Sequence, residues 1–130
     1  SAIKAFTKMN AKKIALFTPY PESVNKTILE YFNRKNINIT SFSTFNIDLD
    51  EDIASVDPKY LLKTLVELNI SDAEALFISC TALPALEILE KVEKKTKKLV
   101  LSSNQTLIWD TIRSIGYKSP LKGYGKLLKN

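Results

Sequence analysis

"ALFISCTALPAL", residues 75–86, is the stretch whose reading decides the fold. An apolar run climbs without alternation to Ser79 and ends in Cys80-Thr81; Pro84 then opens a helical pattern. A short unalternating apolar run reads as a strand buried on both faces, as in a parallel sheet covered by helices. The same pairing of buried strand and amphipathic helix recurs on either side. Upstream, "KIALFT" (13–18) reads as a buried strand stopped by Pro19-Tyr20-Pro21, since neither proline can continue a ladder. "ESVNKTILEYFNRKN" (22–36) sets Val24, Ile28, Tyr31 and Phe32 on one helical face, and "INITSFSTF" (37–45) alternates Ile37, Ile39 and Ser41 with polar partners as a strand does. Downstream, "PALEILEKVEKKT" (84–96) reads as a helix starting on Pro84, "KLVLSS" (98–103) as a strand, and "NQTLIWDTIRSIG" (104–116) as a helix stopped by Gly116.

Three stretches remain. "AIKAFTKMN" puts Ile3, Phe6 and Met9 at helical spacing. "NIDLDEDIASV" (46–56) is acidic and irregular, with room for one helical turn. Asp57 can cap and Pro58 suits a first helical position, so a helix follows with Leu61, Leu62, Leu65 and Leu68 buried. The tail, 117–130, is turn-rich, basic and irregular. No repeat or low-complexity linker interrupts the chain. The order α-β-α-β-α-β-α-β-α implies one α/β domain over 1–130. We expect a doubly wound, flavodoxin-like parallel sheet of four strands, order 2-1-3-4, with helices on both faces. In that order the winding reverses between the first and third strands, and ligands bind outside the carboxyl ends there.

Composition narrows the classes. The chain has 130 residues, 45% hydrophobic and 25% charged, a balance that fits a globular domain. No apolar run is long enough to cross a bilayer, and no signal peptide is visible. With one cysteine no internal disulfide can form, which places the chain in the cytoplasm. The net charge of +5 raises nucleic acid as a partner. Its densest basic run, "KVEKKTKK" (91–98), instead falls where a helix ends, complements the helix dipole and lacks interleaved aromatics, so no nucleic acid is expected. Histidine is absent, which removes Ser-His-Asp, Cys-His and His-metal sites and leaves Cys, Tyr, Lys or carboxylates for acid–base work. No metal or cofactor is expected. The chain begins at Ser1, in a stretch that is already helical, and so reads as a fragment or a processed product.

Topology brings two distant segments to one crevice. The first strand ends at Thr18-Pro19-Tyr20 and the third at Ser79-Cys80-Thr81. Around Cys80-Thr81-Ala82, backbone N–H groups at the start of the next helix would bind a carboxylate, with the Thr81 hydroxyl adding a donor. The positive end of a helix also activates thiols in general. A cysteine here can equally be a packing residue, and spacing alone leaves both readings open. Tyr20 could hold a substrate carboxylate through its phenol or be a half-wet loop residue. Asp48, Asp50, Glu51 and Asp52 cluster after the second strand; they make a poor anion site, fit a solvated helix start, and could orient a thiol. Trp109 and Arg113, one turn apart, fit stacking or packing.

"TPYPESVNKTILEYF", "DEDIASVDP", "ALFISCTALP", "VLSSNQTLIWDTIRSIG" and "GYGKLL", in this order, resemble the C-terminal half of the aspartate/glutamate racemase superfamily. The nearest branch is that of maleate cis-trans isomerases, arylmalonate decarboxylases and ectoine-utilisation protein A. The resemblance runs from about Lys13 to Leu128. It implies two pseudo-symmetric α/β halves with a small carboxylate or dicarboxylate between them. It also implies cofactor-independent proton transfer by strand-end cysteines. By resemblance Cys80 is the general acid/base, Tyr20 and the adjoining Pro19 contact the substrate carboxylate, and Thr81 with Ala82 offers backbone N–H groups. Asp50 falls where maleate isomerases carry an Asn that assists the second Cys. An Asp departs from that pattern and speaks against maleate isomerisation, since like charge disfavours a thiolate. The missing N-terminal half would be the chain's partner. Without it Leu107, Ile108 and Ile112 would be exposed, which predicts a homo-oligomer or a domain-swapped dimer and an inactive isolated chain. The alternative is a non-catalytic α/β carboxylate-binding or assembly domain.

Overall fold

A computed structural model describes residues 1–130. Helix α1 (Ala2–Lys8) leads into strand β1 (Lys13–Thr18), α2 (Glu22–Arg34) and β2 (Asn38–Thr44). Two short-linked helices, α3 (Asp50–Ala54) and α4 (Pro58–Glu67), precede β3 (Ala75–Ile78), α5 (Leu89–Thr96), β4 (Leu99–Ser102) and α6 (Ser103–Ser114). The four strands are parallel, in the order β2-β1-β3-β4. This is the doubly wound arrangement expected, with its reversal between β1 and β3.

The strands look uniformly apolar because each feeds two cores. Side chains alternate across a sheet, so odd and even positions face opposite layers. Ala15, Phe17, Leu76, Ile78 and Val100 pack with Ile53 of α3, Leu61 and Leu65 of α4, and Leu89 and Val92 of α5. Ile14, Leu16, Ala75, Phe77 and Leu101 pack on the other face with Phe6 of α1, Phe32 of α2 and Trp109 of α6. Both faces are covered, so no polar alternation is left to read. Asp57 caps α4 as expected, its carboxylate accepting from the Lys59 N–H at 2.8 Å. Gly116 takes φ +89° just past α6, where the Tyr117 N–H closes on the Ile112 carbonyl at 2.9 Å.

Three expectations are corrected. Helix α2 does not bury Val24 and Tyr31, which are exposed; its inner face carries Asn25, Ile28, Leu29 and Phe32. The stripe is rotated because a polar residue, Asn25, occupies a core-facing position. Second, no helix starts on Pro84. Residues 79–85 are irregular, Leu86–Ile88 form one 3₁₀ turn, and α5 begins at Leu89. Leu83 and Ala85 are both buried, and the Ala85 N–H closes on the Leu83 carbonyl at 2.8 Å, a γ-turn centred on Pro84. Third, Ile112 is half-buried against the second core, whereas Leu107 and Ile108 are exposed.

The tail is ordered by partners far away in sequence. Leu127 and Leu128 are buried in the second core. The Arg113 guanidinium donates to the carbonyls of Tyr117 (2.8 Å), Leu128 (3.3 Å) and Asn130 (3.3 Å). The Glu93 carboxylate accepts the N–H groups of Val100 and Lys126, each at 3.2 Å through Oε1, and burial pushes its pKa up despite those donors. No helix is long and apolar enough to cross a membrane.

Candidate functional site at the winding reversal

Cys80 keeps the parity of Leu76 and Ile78, so its side chain turns toward the face of α3, α4 and α5. It is 5% exposed. The Ser79 N–H still bonds the Phe17 carbonyl at 2.9 Å, which holds the end of β3 beside the end of β1. Beyond it the chain bends back, and the Ala82 N–H donates to the Cys80 Sγ at 3.3 Å.

Tyr20 arrives from the other side of the reversal. Its side chain packs on the same core cluster as Cys80, with the phenol near enough for phenol and thiol to act on each other. Burial raises the phenol's pKa well above its ordinary value; the neighbouring Cys80 and the negative charge of Asp50 push the same way. At neutral pH the phenol is therefore a donor. One backbone donor is thus bonded to the sulfur, and a protonated phenol stands beside it.

The other expected residues take distinct places. Pro19 is buried at the turn out of β1, and its carbonyl accepts the Ile47 N–H at 2.7 Å, drawing the β2–α3 loop over the crevice. Thr81 is exposed, and Ala82 is half-buried against the core. Asp50 opens α3, exposed, near enough to act on Tyr20. Asp48, Glu51 and Asp52 are exposed around that helix start. Trp109 is a core residue and Arg113 a tail clamp, so neither belongs to the crevice. The expected helix N-terminus at Cys80-Thr81-Ala82 is absent, because the chain does not become helical until Leu86. The amide at 82 is committed to sulfur instead.

Several residues of this site carried no signal in the sequence reading. Thr18, Asn25 and Thr44 hold the backbone of Tyr20 by side-chain hydrogen bonds. Asn104, in the first turn of α6, donates to the Thr81 carbonyl at 2.9 Å and ties down the Cys80 loop. Nothing in the spacing of Ser103-Asn104-Gln105 indicates that contact. No group of three or more Cys, Asp and Glu side chains is arranged to hold a metal ion.

A doubly wound parallel sheet with a cysteine and a tyrosine packed together at its reversal defines an α/β domain with its candidate site at the strand ends. The sequence model described as arylmalonate decarboxylase matches residues 1–128, and the chain belongs to that family. It is 28% identical over 127 residues to a maleate isomerase of Geobacillus stearothermophilus, covering 97% of this chain and 51% of that protein. It is 25% identical over 134 residues to the arylmalonate decarboxylase of Bordetella bronchiseptica, covering 98% and 54%. Among solved structures, a cysteine-to-serine mutant of the Nocardia farcinica maleate cis-trans isomerase carries a covalently bound succinylcysteine intermediate. This chain superposes on it with a TM-score of 0.92 at 19% identity, covering 98% of this chain and 53% of that one. The chain thus spans about half the length of the relatives it matches.

Proposed function

We propose that the chain is the C-terminal half of a cofactor-independent enzyme of the maleate isomerase and arylmalonate decarboxylase type. In it Cys80 transfers a proton at the carbon next to a carboxylate. The observation that carries this reading is the Cys80 sulfur at the sheet's winding reversal, bonded by the Ala82 N–H and packed in one cluster with Tyr20. A thiol that protonates an enediolate carbon is left as a thiolate, and in reverse the thiolate takes that proton back. A donor already aimed at the sulfur stabilises the charge without reorganising. The names of the relatives support a small carboxylate or dicarboxylate as substrate, and the succinylcysteine supports sulfur as a reacting atom in this family. In this reading Thr81, exposed at the rim, and Ala82 and Pro19 beneath it line the carboxylate's path. Asp50 acts on the phenol. A free thiol without a disulfide partner fits the cytoplasm.

The second α/β half would close over Cys80 and supply the remaining contacts, so this chain alone turns over little substrate. The outer face of α6 carries Leu107, 52% exposed, and Ile108 one position on, with Ile115, 78% exposed, at the helix end. That stripe would be covered by the missing half or by a second copy of this chain. Light scattering should therefore show a species larger than the monomer; a monodisperse monomer at high concentration removes the second copy.

The burial of Cys80 within a core cluster favours a second reading, a non-catalytic carboxylate-binding or assembly domain. Alkylation separates the two. A reacting Cys80 is modified by iodoacetamide at neutral pH faster than the denatured chain, and maleate or another dicarboxylate slows it. A thiol slower than the denatured control, or indifferent to dicarboxylates, sinks the enzymatic reading.

A further inference from the structure

We propose that Asn25 and Thr44 are positioning residues that aim the Tyr20 phenol at Cys80. The proposal rests on the reading of Cys80 as the reacting thiol. Tyr20 lies between Pro19 and Pro21, just past the last ladder position at Thr18. Its own N–H and C=O therefore have no strand partner, and buried backbone groups without partners are costly. Side chains satisfy both. The Tyr20 N–H donates to Thr18 Oγ1 at 3.3 Å. The Tyr20 carbonyl accepts twice, from Asn25 Nδ2 at 2.7 Å and from Thr44 Oγ1 at 2.6 Å.

The protons can be assigned without conflict. Thr18 spends its hydroxyl proton on Asn25 Oδ1, at 2.5 Å, which orients the amide so that its NH₂ faces Tyr20. Thr44 spends its own on Tyr20 and accepts the Asn46 N–H at 2.9 Å, in a turn where Asn46 takes φ +54°. Thr18, Asn25 and Tyr20 thus form a closed ring, with Thr44 bracing it from β2. With both peptide groups fixed, the Cα–Cβ direction of Tyr20 is fixed too, and the ring it carries packs on the cluster that holds Cys80.

Packing does not account for Asn25. It is 2% exposed on the inner face of α2, in register with Ile28, Leu29 and Phe32. An apolar residue would bury there at no polar cost, and Asn is a poor helix former. What only the amide provides is the bridge from Thr18 to the Tyr20 carbonyl.

The test is the iodoacetamide rate of Cys80 at pH 7 in the folded chain, with circular dichroism confirming the fold of each variant. Tyr20→Phe removes the hydroxyl that would donate to the reacting thiolate and is slower by about tenfold. Thr44→Val keeps shape, loses the donor, and slows the rate by roughly threefold, while Thr44→Ser, which keeps the hydroxyl, recovers it. Asn25→Leu slows the rate as Thr44→Val does. The decisive arm is the double variant: Thr44→Val adds nothing once Tyr20→Phe is present, because it acts only through the phenol. A merely structural Thr44 would lower stability and leave that coupling absent. If Tyr20→Phe slows the thiol but Thr44→Val and Asn25→Leu do not, or if their effects add to it, the positioning role is overturned and the reading of Cys80 survives. An unchanged rate in Tyr20→Phe overturns the Tyr20–Cys80 pair itself.

Discussion

Strands β3 and β4 end side by side, Ile78 opposite Ser102, and the chain leaves them in different ways. At β4 it enters α6 at the next residue. The Ser102 hydroxyl caps that helix, accepting the Gln105 N–H at 3.2 Å. At β3 the chain wanders from Ser79 to Ala85 and makes a 3₁₀ turn before α5 begins at Leu89. The tight exit spends its polar groups on starting a helix. The wide exit leaves one thiol at the strand mouth and folds an amide back onto it. Two neighbouring strands of one sheet thus show how the same topology yields a capped helix start or an irregular loop around a thiol, depending on how soon the next helix starts.

The largest expected effect tests whether the tight exit is structural only. The helix it starts is held from behind by the tail, whose Leu127 is fully buried beside Trp109 in the second core. Truncating a buried leucine removes its transfer free energy and leaves a cavity, so Leu127→Ala should cost about 3 kcal/mol of folding stability in a denaturant titration. The alkylation rate of Cys80 in the remaining folded protein should not change. A rate that moves with Leu127 would mean that the two exits are coupled through the sheet and that the contrast between them is false.

The sheet and its order were legible because a run such as "ALFI" is buried on both sides, and only a parallel sheet between helices provides that. The meeting of Tyr20 and Cys80 was legible for the same reason, since strand order alone brings those ends together. The wide exit was not. Pro84 suits the first position of a helix, yet burial of Leu83 and Ala85 on either side makes it the centre of a γ-turn. Asn25 was invisible because the apolar spacing of α2 is nearly as good with Val24 and Tyr31. Its partners, the Thr18 hydroxyl and the Tyr20 carbonyl, lie outside the helix, at the end of β1 and in the turn that follows. The tail looked irregular because no periodicity governs it. Its order comes from Arg113, which fits stacking or packing in the sequence, and from Glu93, which lies inside the basic helix end at 91–98.

The smallest effect sharpens the comparison most. Ser102→Ala removes the cap of α6 and should cost about 1 kcal/mol, with hydrogen exchange in residues 79–85 following only that global loss. Asn104→Ala, two residues on, removes a single hydrogen bond to the Thr81 carbonyl, worth about 0.5–1.5 kcal/mol. That bond is the side-chain tie from α6 to the Cys80 loop, so its loss should appear locally. The amides of 79–85, Ala82 above all, should exchange several-fold faster than the global change accounts for. If both variants loosen that loop alike, the wide exit is held by α6 as a whole. If only Asn104→Ala does, one amide on the structural exit fixes the loop that carries the thiol, and the two exits divide the work between them.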